Sequence, residues 1–201
     1  MSNSIHPADR QVQIVEDQPE IQDFLRDLLK VREIESLPPV DSGERAIAVI
    51  RELEPAVVIM DIELTGELSG IDVANQLGGI CPSLIVFLTG HTNPQAIRDA
   101  QSTHPVAILR KPLQETESLV RIVQAAFRYR ECLRLGPISV AEPDALITVC
   151  AWCSRIRKPD HEWISLSSYF VENPVRGFTH GICPTCSAEQ LRSMGLESPG
   201  H

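Results

Sequence analysis

Short apolar runs in this sequence close on side chains that handle phosphate and metal ions. "VQIVED" ends in Glu16 and Asp17, "VVIMD" in Asp61, "FLT" in Thr89 and "ILRK" in Lys111. Neighbouring acids with a third one close by suit a hard cation: Mg2+ takes oxygen ligands from one or two carboxylates, waters and phosphate. A hydroxyl and an ammonium suit the phosphoryl oxygens that such a cation leaves uncovered. A carboxylate among them can itself act as nucleophile. The set points to phosphoryl transfer onto an aspartate, provided that the fold brings these residues to one place.

Each residue alone has a plainer reading. Asp17 with Glu20 fits a helix capping box, Asp61 a loop start, Thr89 a strand end and Lys111 a solvated charge. The elements that carry them decide the matter. Apolar runs of β type lie at 12–16, 35–40, 56–60, 84–88 and 106–109, and helical spacing at 20–32, 43–53, 71–77, 94–101 and 115–135. In the last segment Leu119, Ile122, Val123, Ala126 and Phe127 share one face. Strands that each precede a helix predict an α/β fold, a doubly wound parallel sheet covered on both faces. Pro38 and Pro39 remove ladder donors, so the second of the five strands belongs at an edge. It is an edge in the flavodoxin-like order 2-1-3-4-5, where ligands bind beyond the carboxyl ends of the first and third strands. Glu16, Asp17 and Asp61 then meet there and repel one another unless a cation joins them.

On "VQIVED", "VVIMDIEL", "FLTGH" and "ILRKP", residues 10–130 resemble the receiver domain of bacterial two-component response regulators. The resemblance implies that Asp61 accepts a phosphoryl group from the phosphohistidine of a sensor histidine kinase or a phosphotransfer protein. It implies no enzymatic activity beyond this self-phosphorylation and a slow autodephosphorylation. Glu16 and Asp17 are expected to hold Mg2+ directly or through water, and the backbone carbonyl of Glu63 to complete the metal shell. Thr89 is expected to move toward the phosphoryl oxygen and Lys111 to pair with it, with a cis bond between Lys111 and Pro112. Two features depart from the pattern. The loop "IELTGELSG" is one residue longer than the commonest receiver loop and lacks its proline, and Ile108 stands where many receivers carry a Tyr or Phe that swings inward. Without a rotating aromatic, a signal must pass through Thr89, the backbone and the face of the fourth helix and fifth strand. His91 lies near the phosphoryl entrance, with a solvated loop histidine as its plainer reading.

A different kind of sequence follows the break "LGPIS" at 135–139. Cys150 and Cys153 form one Cys-x-x-Cys pair, Cys183 and Cys186 a second, with 29 residues between the pairs. Four thiolates from two such turns make a tetrahedral Zn2+ site. A zinc-ribbon-like module over 148–190 is expected, with a strand and a short helix between the pairs and Trp163, Leu166, Tyr169 and Phe170 as a miniature core. Metal would offset the small core of so short a segment. His180 is a rival ligand, and a redox pair the rival reading of each Cys-x-x-Cys. Cys81 and Cys132 read as small buried apolar residues. The segment looks like Cys-rich tails that follow receiver or sensor modules in bacterial signalling chains. Residues 131–147 serve as helix extension and linker.

The formal net charge of −9 over 201 residues argues against a broad basic surface for nucleic acid. Up to residue 149 there are 13 Lys+Arg against 22 Asp+Glu, and beyond it five of each, so the acidity belongs to the first part. "MSNSIHPADR" has no cationic stretch before an apolar one, and no run nears the roughly 20 residues of a spanning helix. No membrane partner, a cytoplasmic location and reduced thiols are therefore expected. The function expected is a phosphorelay response regulator with a non-transcriptional, protein-interaction output through the tail, to an unknown output protein. The rival is a receiver-type scaffold whose tail binds DNA or responds to redox state. A dehalogenase-type phosphatase would need a second acid two residues after its nucleophile; Glu63 stands there, but Glu16 and Asp17 have no counterpart in such enzymes. The apolar face of the last helix could also pair with another copy in a homodimer.

Overall fold

The computed structural model describes residues 10–78, 83–90, 93–114, 116–135 and 146–150, and beyond them 155–158, 160–164, 169, 177–181, 184–185 and 188. Five strands, β1 (Gln11–Val15), β2 (Glu35–Ser36), β3 (Val57–Asp61), β4 (Leu84–Thr89) and β5 (Ala107–Arg110), alternate with α1 (Pro19–Val31), α2 (Gly43–Leu53), α3 (Gly70–Leu77), α4 (Pro94–Ser102) and α5 (Thr116–Leu135). All pairings in this sheet are parallel, in the order β2-β1-β3-β4-β5.

Alternation along the strands builds two cores. Val12 and Ile14, Val57 and Ile59, Val86 and Leu88 pack with Leu25 and Leu29 of α1 and with Leu119, Ile122, Val123 and Ala126 of α5. Their neighbours Val15, Val58, Met60 and Phe87 pack with Ala46 and Ile50 of α2, Val73 and Leu77 of α3 and Ala100 of α4. Successive side chains of a strand point to opposite faces, so continuous apolar runs are what a sheet sealed on both sides requires. Each fully buried Ile or Leu contributes about 1.5–3 kcal/mol at most.

Two local expectations are corrected. The second strand is shorter than 35–40: its ladder holds only Gln11 with Glu35 and Val12 with Ser36. Pro38 and Pro39 have no N–H to give, so the chain skips them and returns through an isolated bridge between Val15 and Val40. The amide of Leu37 donates to Val12 O at 2.8 Å and that of Val40 to Ile14 O at 3.0 Å. Asp17 does not cap α1, whose N-cap is Gln18 with Pro19 opening the helix. The capping box is at α3, where the Ser69 hydroxyl accepts from the Asp72 amide and the Asp72 carboxylate accepts from the Ser69 amide.

After α5 a second sheet forms from β6 (Leu146–Cys150), β7 (Ile156–Arg157), β8 (Trp163–Ile164) and β9 (Gly177–Gly181), in the order β8-β7-β6-β9. β6, β7 and β8 are antiparallel, whereas β9 runs parallel to β6. Val149 and Ile156 are fully buried in the cluster that contains α5, and Tyr169 packs against it. The separate miniature core is thus corrected for Tyr169, which joins the larger core; Leu166 and Phe170 lie outside the described residues. Among the described residues no helix is long and apolar enough to cross a membrane.

Candidate functional site

Four strands of the parallel sheet bring polar or charged residues to one edge. Asp61 is the last residue of β3 and Thr89 of β4, while Glu16 follows β1 and Lys111 follows β5 directly. Glu16, Asp61 and Thr89 are buried. The Lys111 ammonium lies among them, donating to Glu16 Oε2 at 2.5 Å and to Asp61 Oδ2 at 2.6 Å. Its main chain is fixed too: the Lys111 amide donates to Thr89 O at 2.8 Å, and the Lys111–Pro112 bond is cis, as expected.

Burial pushes the Glu16 carboxyl above its usual range; the hydrogen bond from Lys111 opposes this and the nearby Asp61 charge adds to it. For Lys111, burial pulls the other way, but its bonds to Asp61 and Glu16 outweigh burial and raise its pKa. The lysine therefore stays charged and bridges two acids.

The acids have room for a cation. One ligand oxygen from each of Glu16, Asp17 and Asp61 lies within 4.8 Å of the others. Asp17 Oδ1 is buried and accepts no hydrogen bond. A buried carboxylate oxygen left in that condition is costly, and a hard cation satisfies it. The donor set thus fits Mg2+. The Glu63 amide donates to Asp61 Oδ1 at 3.1 Å, which fixes the carboxylate and turns the chain at the position whose carbonyl was expected in the shell.

Reasoning from the sequence missed two supports. A Cβ on Gly70, the first residue of α3, would lie 2.0 Å from Asp61 O, so only glycine allows α3 to start this close to the end of β3. The amide of Gly70 donates to Ile62 O at 3.0 Å across the same turn. The Gln22 side chain of α1 donates to Glu16 O at 2.5 Å. Glycine after the capping serine was the only signal in the sequence for the first; nothing marked the second. Ile108 is half-buried on β5.

His91, Cys81, Cys153, Cys183 and Cys186 lie outside the described residues, as does the side chain of Cys132. Cys150 is buried at the end of β6, opposite Gly181 of β9.

Residues 12–124 match the family described as the response regulator receiver domain. The chain belongs to that family. This receiver is 28% identical over 126 residues to the transcriptional regulatory protein PdtaR of Mycobacterium tuberculosis, a match covering 63% of this chain and 61% of the relative. It is 26% identical over 144 residues to the DNA-binding response regulator MtrA of Mycolicibacterium smegmatis, covering 69% and 62%. The matched part of the chain therefore spans less than two thirds of either relative's length. The signal receiver domain of a modulated diguanylate cyclase from Desulfovibrio desulfuricans G20 superposes with a TM-score of 0.57 at 28% identity, over 61% of this chain and 97% of that one. The expected five-stranded α/β receiver fold is borne out.

Proposed function

We propose that this protein is a phosphorelay response regulator in which Asp61 accepts a phosphoryl group from the phosphohistidine of a sensor histidine kinase or phosphotransfer protein. The observation that carries the reading is the Lys111 ammonium held between buried Glu16 and Asp61 at the carboxyl edge of a receiver sheet. A carboxylate oxygen of Asp61 attacks phosphorus, the new P–O bond forms as the P–N bond breaks, and the imidazole departs and takes up a proton. Lys111 orients Asp61 and offers its ammonium to the charge that gathers on the phosphoryl oxygens. Thr89 lies one register step beyond Asp61 on the neighbouring strand, and its hydroxyl would donate to one of those oxygens. Glu16, Asp17, Asp61 and the Glu63 carbonyl would hold Mg2+, which supplies positive charge to the transferring group. Incubation with Mg2+ and a small acyl-phosphate donor should add one phosphoryl mass to the wild type and none to Asp61→Asn. Equal addition to both would sink the reading.

The output is assigned to the C-terminal part, as protein interaction in the cytoplasm. Its support for Zn2+ is the register of the second sheet. Cys150 lies opposite Gly181, the last residue of β9 and two positions before Cys183 in the sequence, so the chain runs into both Cys-x-x-Cys pairs (Cys150 with Cys153, Cys183 with Cys186) from the same end of two neighbouring parallel strands. Native mass spectrometry of the reduced protein should show one zinc that Cys183→Ser loses; no zinc in the wild type contradicts it. A second reading is a transcriptional output, favoured by what PdtaR and MtrA are called. Salt-dependent binding to duplex DNA would favour it.

A further inference from the structure

The second sheet has two unlike faces. Val149 of β6 and Ile156 of β7 are register partners, sealed in the cluster that contains α5. Successive side chains of a strand alternate between faces, so Thr148, Arg155 and Arg157 lie on the other side. Arg157 stands opposite Trp163 of β8 on one flank and opposite Thr148 of β6 on the other. An indole, a guanidinium and a hydroxyl thus form one row across three strands. Arg155 continues the pairing of β7 with β6, its carbonyl accepting from the Cys150 amide at 2.8 Å. Arg155 and Arg157 are exposed, whereas Thr148 and Trp163 are half-buried.

The acids of the same hairpin do not neutralise these arginines. Asp160 and Glu162 both pair with Lys158, at 3.2 and 2.8 Å, and Lys158 is one residue along the strand, on the side of Ile156. Arg157 donates to His161 Nδ1 at 2.5 Å, which steadies the guanidinium and leaves its charge in place. Among the described residues neither arginine pairs with a carboxylate.

Alternate residues of a strand stand about 6.5 Å apart on one face. An extended peptide repeats at the same interval, so acids at its alternate positions meet Arg155 and Arg157 in step. Each guanidinium can hold a carboxylate through two parallel N–H bonds. Beside Arg157 the Trp163 ring is an apolar wall for the aliphatic stem of the acid bound there, and Trp and Arg are residues on which interface energy concentrates. A polynucleotide fits less well, since it is held by many phosphate contacts and the chain around this face has a formal charge of −9.

We propose that this face of the second sheet docks an extended acidic segment of the output protein, with carboxylates at alternate positions on Arg155 and Arg157. The inference rests on the reading of the C-terminal part as a protein-interaction output.

Fluorescence anisotropy of the full chain with a short labelled peptide of alternating glutamate and serine tests it. A control peptide has the same number of glutamates at every third residue, which puts successive acids on opposite faces of an extended chain. The alternating peptide should bind more tightly than the control, and less tightly as salt rises. Arg155→Gln and Arg157→Gln, at exposed positions outside the core, should each weaken binding about tenfold. Arg157→Lys, which keeps the charge and loses the fork, should weaken it less. No binding, wild-type affinity in both Gln variants, or equal binding of the two peptides overturns the inference. Tighter arginine-dependent binding of single-stranded oligouridylate overturns it in favour of nucleic acid, and self-association that Arg157→Gln abolishes overturns it in favour of a second copy. Salt-dependent binding of duplex DNA would strike the protein-interaction output as well; failure of the peptide without it strikes this inference alone.

Discussion

Glu16 shows what the site costs the fold. Its carboxyl is raised because burial penalises the charge, so above the ordinary value of 4.5 the folded chain holds a proton that the unfolded chain has released. This group's contribution to stability is fully present below that value and is lost as pH rises through the raised one. Glu16→Gln removes the titration. Its stability relative to wild type should therefore rise as the pH climbs above 4.5, while its affinity for Mg2+ falls; urea unfolding across pH and a calorimetric Mg2+ titration measure both. A constant difference above that pH would show that Glu16 titrates as if exposed. Function here opposes stability, since the same burial that disfavours the carboxylate makes it a waiting ligand. The acids, the threonine and the lysine were legible in the sequence because each ends an apolar run. Gly70 and Gln22 were not, because their roles depend on an approach between chain segments that no local pattern encodes.

Among the elements, the strands and helices fall within a residue or two of the apolar runs that predict them, apart from the second strand. There, Pro38 and Pro39 broke the ladder that the run at 35–40 suggested. A sheet covered on both faces leaves such a clear mark because most strand residues must be apolar, with buried Gln13 of β1 an exception, and helices then show where the runs stop. The junction between β3 and α3 is the element boundary on which the site depends. Gly70→Ala would set a Cβ 2.0 Å from the Asp61 carbonyl oxygen, and relieving it must move the end of β3 or the start of α3. Overpacking of this kind costs about 1–3 kcal/mol. Gly70→Ala should lower stability by that amount in urea unfolding and slow phosphorylation by a small donor. Wild-type rates together with wild-type stability would mean that the turn is more pliant than its close contact implies.

On the scale of the molecule, the second sheet is joined to the receiver by a shared core. Its strands of two residues, Ile156–Arg157 and Trp163–Ile164, are too short for alternation to reveal, and nothing in their sequence told that Ile156 would be sealed in the cluster that contains α5. The consequence is cooperative unfolding. Trp152 and Trp163 both lie in the C-terminal part, so tryptophan fluorescence follows the second sheet while far-ultraviolet circular dichroism follows the helices of the receiver. The two urea transitions should coincide; a fluorescence transition at lower urea would show a separately folding module. The account as a whole stands on Asp61 as the phosphoryl acceptor, and the most direct measurement is to locate the group. After phosphorylation in Mg2+, borohydride reduces an aspartyl phosphate to homoserine, which peptide mass spectrometry places in the chain. Homoserine at position 61 is the predicted result; reduction at another aspartate, or none from a chain that has gained a phosphoryl group, would contradict it.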